Sequence, residues 1–182
     1  MALPAAAEPV PLKSHQRISS TNGFSFQPPQ GDNWLEEFGK NQITYLKQTD
    51  PRKVSFYVGA VEGKLRARPS TKEDLVAFVR SKKDVWGNDD RYSSTSASFK
   101  VEDKNESCIR YRLSAHDRDA RNKSTHDFLI MHANGRFCLH PQDRAVAVDL
   151  YYSVRHAPTF DPKALMIEGE AFVQSLKFDK PK

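Results

Sequence analysis

The stretch from His126 to Val154 limits the folding choices of this chain more than any other, because its apolar side chains recur with the two-residue period of extended backbone. Asp127-Phe-Leu-Ile-Met-His-Ala133 and Arg136-Phe-Cys-Leu-His140 flank Asn134-Gly135, two residues that accept the positive φ angles of a two-residue turn. The pattern predicts a hairpin in which Ala133 faces Arg136 and Ile130 faces Leu139. After a turn at Pro141-Gln-Asp-Arg144, Val146, Val148, Leu150, Tyr152 and Val154 give a third strand one continuous apolar face.

The rest of the chain supplies more strands and two helices. Gly23-Phe-Ser-Phe-Gln27 is a short edge strand or hairpin arm stopped by Pro28-Pro29. Trp34, Leu35 and Phe38 form an aromatic cover for the sheet, and Ile43–Leu46 and Val54–Val61 are strands, the second with Gly59 at a bulge or close-packing point. Ser70 as N-cap with Glu73 as its capping-box partner opens a helix whose stripe is Leu75, Phe78 and Val79. Strands follow at Tyr92–Val101 and Cys108–Leu113, and in the latter Ile109, Tyr111 and Leu113 alternate with Cys108, Arg110 and Arg112, so its two faces differ chemically. Asp161-Pro162 then begins a helix with the stripe Leu165, Met166, Phe172, Val173 and Leu176, interrupted in propensity by Gly169. This order predicts an α+β fold, a largely antiparallel sheet covered by helices, with an α/β/α sandwich as one arrangement. The expected division is a flexible leader over 1–20, one domain over 21–178 and a tail over 179–182.

A chain of 182 residues with 38% hydrophobic content can bury a core of its own. Its 28 basic and 23 acidic residues leave a net charge of +5, spread along the chain rather than concentrated in a tail, which does not in itself make a nucleic-acid footprint. No apolar run reaches the roughly 20 residues of a membrane helix. The opening Met-Ala-Leu-Pro-Ala-Ala-Ala lacks the basic and apolar regions of a signal peptide but suits the flexible start of a mature exported chain or, equally, a native disordered terminus. There is no glycine-rich phosphate loop, no Gly-x-Ser-x-Gly elbow and no His-Glu-x-x-His helix, so the sequence nominates no catalytic residue and no cofactor.

Cys108 and Cys138 both fall in strands. If strand 107–115 pairs with 126–133, and that with 136–140, the cysteines lie roughly 9.6 Å apart across an intervening strand. That exceeds disulfide spacing and favours two buried thiols. Another strand order would restore a disulfide, which would fit an oxidising compartment. A Cys138–His140 nucleophile pair is disfavoured, because positions two apart on a strand stand about 6–7 Å from each other.

Two residue groups are candidates for binding. His116, Asp117, Asp119, His126 and Asp127 converge on a divalent metal if the polar connection Ala115–Thr125 folds back, which is the basis for a metal-dependent enzyme; the blander alternative is a solvated loop. Lys64, Arg66 and Arg68 alternate with Leu65 and Ala67. With Arg80, Lys82 and Lys83 they would line a phosphate groove for a nucleic acid or anionic ligand, with Tyr111, Tyr151 or Tyr152 for stacking. The same cations also serve as an ordinary solvated surface.

Gly23-Phe-Ser-Phe, Ile43-Thr-Tyr-Leu, Cys108-Ile-Arg-Tyr-Arg, Gly135-Arg-Phe-Cys-Leu-His-Pro141, Tyr152-Ser-Val-Arg155 and Glu170-Ala-Phe-Val-Gln-Ser-Leu-Lys-Phe178 together resemble poorly characterised bacterial envelope lipoprotein domains. More remotely, residues 20–178 are similar to the α/β/α sandwiches of the photosystem extrinsic-protein and Ran-binding adaptor class. The resemblance implies a noncatalytic protein-interaction domain with a protein or envelope component as partner, periplasmic or envelope-associated after export, with a cytoplasmic location as the alternative.

Overall fold

The computed structural model describes residues 8–50, 54–66, 68–83, 91–103, 105–118 and 128–178. In chain order these form β1 (Val10–Pro11), β2 (Ile18–Ser19), β3 (Phe24–Phe26), β4 (Trp34–Phe38), β5 (Gln42–Lys47), β6 (Val54–Lys64), α1 (Lys72–Lys83), β7 (Tyr92–Glu102), β8 (Asn105–Asp117), β9 (Leu129–Leu139), β10 (Val146–His156), α2 (Lys163–Gln174) and β11 (Lys177–Phe178). An eight-stranded antiparallel sheet runs β1-β4-β5-β6-β10-β9-β8-β7, and a small sheet runs β11-β3-β2. Within the stretch expected to be a flexible leader, β1 pairs with β4 and β2 with β3.

Side-chain parity divides the large sheet into two faces. Val148, Leu150, Tyr152 and Val154 of β10 join Phe56, Val58 and Tyr45 in a core closed by Phe172, Val173 and Leu176 around α2, and by Phe24 and Phe26 of the small sheet. On the other face Ile109, Tyr111, Leu113, Phe137 and Leu139 pack on Leu75 and Val79 of α1. Helices on opposite faces of one antiparallel sheet make this an α/β/α sandwich, the expected α+β class.

The predicted hairpin at Asn134-Gly135 is absent. Both residues lie inside β9, which pairs through them with β8 (Arg112↔Asn134, Tyr111↔Gly135) and with β10 (Tyr152↔Asn134, Tyr151↔Gly135). Packing explains the dipeptide instead. A Cβ on Gly135 would sit 2.3 Å from the Tyr111 hydroxyl and 2.8 Å from the Leu150 carbonyl oxygen, so only glycine lets that ring cross the strand. Asn134 is buried, and its amide donates to the Tyr152 hydroxyl at 2.7 Å.

With β9 unbroken, Cys108 stands directly opposite Cys138, and the two form a disulfide with Cα atoms 4.1 Å apart. The reading that favoured two thiols depended on a strand between them that does not exist. Smaller differences follow local hydrogen bonding. Trp34–Phe38 is a strand of the sheet rather than its cover. Helix α1 is capped one residue later than expected: Thr71 Oγ1 accepts from the Asp74 N–H at 3.0 Å, and Asp74 Oδ2 accepts from the Thr71 N–H at 3.1 Å. In α2 Pro162 takes the N-cap position, while Asp161 Oδ1 accepts the Lys163 N–H at 3.0 Å.

Candidate functional site

The loop constellation does not assemble as the sequence suggested. Strand β8 runs on to Asp117, so His116 and Asp117 project to opposite faces of the sheet. His116 stacks on Phe128 with ring centroids 4.0 Å apart. Asp117 is fully buried and bound by Arg91, at 2.8 Å from Nε and 2.7 Å from a terminal nitrogen, with Arg155 at 3.4 Å. Asp119, His126 and Asp127 lie outside the described residues. Among the described residues no three or more His, Cys, Asp or Glu side chains are grouped to hold a metal.

The basic candidates are also separated. Lys83 forms an ion pair with the buried Asp149, and its ammonium lies 4.7 Å from the Tyr111 ring centroid. Arg80 lies over Phe99, and Lys82 over Phe78. Lys64, at an even position of β6, points to the face opposite α1, while Arg66 and Arg68 are exposed beyond the strand. Tyr111 and Tyr152 are 2% and 3% exposed, which removes both rings as stacking platforms for a base. His140 is structural: Nδ1 accepts the Gln142 and Asp143 N–H groups at 3.2 Å each, and Nε2 donates to the Gly23 carbonyl at 3.2 Å.

A large cleft lies elsewhere, and its position follows from how α2 is seated. Gly169 rests on the Tyr152 ring, where a Cβ would come within 2.4 Å of Cγ, so the helix sits close over β10 and leaves the same face of β7 and β8 uncovered. Between them is a cleft of about 1120 Å³. Ser96, Ser98, Arg112, Ser114, His132 and Asn134 form its floor, and Pro162, Met166, Ile167, Glu170 and Gln174 line its helical wall. Ile167 is 63% exposed, the most exposed large apolar side chain among the described residues.

Ion pairs organise this face unevenly. Arg110 pairs with Glu170, and Arg136 with Glu102 at 2.7 Å. Arg112 is exposed and has no carboxylate partner among the described residues. The Ser96 and Ser114 hydroxyls bond each other at 2.9 Å instead of meeting an imidazole, so they are not arranged as activated nucleophiles. The cleft presents hydroxyls, an amide, an apolar rim and a guanidinium without a carboxylate partner among the described residues.

His132 stacks on His156 at 5.5 Å at one end of the cleft. Burial, and then the neighbouring His156, hold the His132 imidazole below its usual range. His156 donates from Nδ1 to the Ala157 carbonyl at 2.8 Å, and its Nε2 is buried without a hydrogen-bond partner among the described residues. The native state thus resists a proton on His132 that the unfolded chain accepts near pH 6.5. Unfolded chains bind more protons as pH falls through that value, so stability should rise with pH between about 5.5 and 7.5. His132→Gln should flatten the slope, as read by urea unfolding at the two ends of the range; an unchanged slope would assign it to other groups.

The sequence carried a partial signal for the cleft. Arg110, Arg112 and Ser114 share one face of β8, and Ser96, Ser98 and Lys100 continue it on β7, so adjacent strands present a polar surface on one side. That surface was legible as a contrast between two faces, but not as a site.

No family model matches the chain, and no curated protein matches it. The resemblance to envelope lipoproteins gains no support from these comparisons. Among solved structures the chain is similar to a mutant of protein Mog1, with 8% sequence identity, a TM-score of 0.48, and coverage of 92% of this chain and 98% of that one. A likeness of that depth transfers no ligand, partner or role, and the sandwich rests on this chain's own strand pairing and helix packing.

Proposed function

We propose that the chain is a noncatalytic protein-interaction domain of the periplasm or cell envelope, and that it binds its partner in the cleft between α2 and the β7–β8–β9 end of the sheet. The supporting observation is the bare sheet face beside an exposed Ile167: a concave surface mixing an apolar rim with hydroxyl, amide and guanidinium groups is suited to polypeptide. The buried disulfide supports the compartment, since such bonds persist where thiols are not kept reduced. The metal-dependent enzyme has weaker support, because Asp117 is held by arginines on the face opposite His116. The nucleic-acid reading is weakened because Lys64 points away from the helix that carries Arg80, Lys82 and Lys83, and Lys83 is paired with Asp149.

Selection of a displayed library of random peptides, about 12 residues long, tests this reading. Peptides enriched on the wild-type protein should bind at least about tenfold more weakly to Ser98→Trp, which fills the cleft from an exposed position. Equal binding by a Ser98→Trp variant with wild-type thermal stability would place recognition elsewhere.

A further inference from the structure

Building on that reading of the cleft, we propose that its occupant is an extended acidic segment of a partner protein, anchored by a carboxylate on the guanidinium of Arg112. The face holds three arginines at related positions. Arg110 and Arg136 stand opposite each other across β8 and β9, and each is matched by a carboxylate of its own, Glu170 and Glu102. Arg112, two residues along the same face, is flanked in register by Ser98 and Asn134. Neither carries charge, and the Asn134 amide is already engaged with Tyr152. Among the described residues the fold therefore supplies an acid to two of these guanidiniums and leaves the third, the exposed one, without.

Of the two acids that line the cleft, Glu170 is matched by Arg110 and Asp161 stands exposed on the rim. Glu170 Oε1 accepts from Gln174 at 2.8 Å as well as from Arg110, and Asp161 Oδ1 accepts the Lys163 backbone N–H. Lys163 and Asp161 are both exposed on the rim, where their opposite charges offset, so Arg112 remains the cation of the floor. A planar guanidinium in a partly enclosed cleft favours a carboxylate, which can take two parallel hydrogen bonds from its fork. Ile167, exposed on the helical wall of the same cleft, favours a segment that carries an apolar side chain as well as the acid. A phosphate backbone fits less well, since binding it requires several unpaired cations along a track and this floor offers one arginine.

The displayed-library selection gives the test. Enriched peptides should carry Asp or Glu at one fixed position together with an apolar residue. A synthetic peptide of that sequence should bind about tenfold or more weakly to Arg112→Gln, and its amide version (Asp to Asn, or Glu to Gln) should bind the wild-type protein as weakly. The two losses should not add when combined, because each removes the same contact. Peptides that are lost on Ser98→Trp but indifferent to Arg112→Gln would overturn the acidic occupant while leaving the cleft as the binding surface. Absence of any cleft-dependent peptide would overturn both. Tighter, Arg112-dependent binding of single-stranded DNA of about 20 nucleotides than of the peptide would replace the carboxylate with phosphate and overturn the proposal.

Discussion

A chain with alanine at both Cys108 and Cys138 is expected to be about 3 to 4 kcal/mol less stable than the oxidised protein. The bond joins positions 30 residues apart, and holding them together removes loop-closure entropy from the unfolded ensemble. Both sulfurs are fully buried in the core beneath α2, so alanine would also leave unfilled volume there. With a urea m-value of about 2 kcal/mol/M, the midpoint should fall by roughly 1.5 to 2 M. A drop below about 0.5 M would show that β8–β9 pairing alone restricts the unfolded chain. Denatured but unreduced protein should show no iodoacetamide-reactive thiol; labelling of both cysteines would remove the premise and with it the support for an oxidising compartment.

Alternation along the strands carried most of the architecture. The even positions of β10 and the odd positions of β8 were legible as apolar faces, and the stripes of both helices were legible by their spacing, because period alone decides which side chains share a face. Asn134-Gly135 misled because two different environments select the same dipeptide. A tight turn needs residues that tolerate positive φ, and a crowded strand crossing needs glycine under a ring and an amide beside a phenol. The deciding partners, Tyr111 and Tyr152, are distant in sequence, so no local rule separates the cases. The inserted turn then divided β9 in two and moved the cysteines apart on paper. His116 and Asp117 failed as a pair for a simpler reason: a strand continued where polar composition suggested a loop, and neighbours on a strand point opposite ways. The cleft needed one more fact, that α2 rests on Tyr152 through Gly169 and so covers β10 instead of β7 and β8.

Asp149→Ala is expected to destabilise the protein by about 3 kcal/mol, the low end of the range for breaking a buried ion pair, because Lys83 keeps some access to water. Asp149 is the one carboxylate facing α1 from the middle of β10, where it accepts from the Tyr111 hydroxyl at 2.9 Å and from Lys83. Its side chain is 10% exposed and that of Lys83 23%. Alanine would strand the Tyr111 hydroxyl in the core and leave the ammonium held only by the Tyr111 and Tyr151 rings, 4.7 and 5.5 Å away. Asp149→Asn keeps an acceptor for Tyr111 and should cost about half as much. Burial outweighs the opposing pull of Lys83 and Tyr111, so the Asp149 carboxyl sits above its usual range. Between the unfolded value near 4 and that raised value the native state holds a proton the unfolded chain has lost, and this group's contribution to stability falls as pH rises. Lys83→Met removes the main force holding the value down, so the decline should extend to higher pH in that variant. Urea unfolding from about pH 4 to 8 should therefore show the Lys83→Met and wild-type curves diverging as pH increases. Curves that stay parallel would mean that the carboxylate is solvated by something other than Lys83, and the same result would remove the reason to expect a large effect from Asp149→Ala.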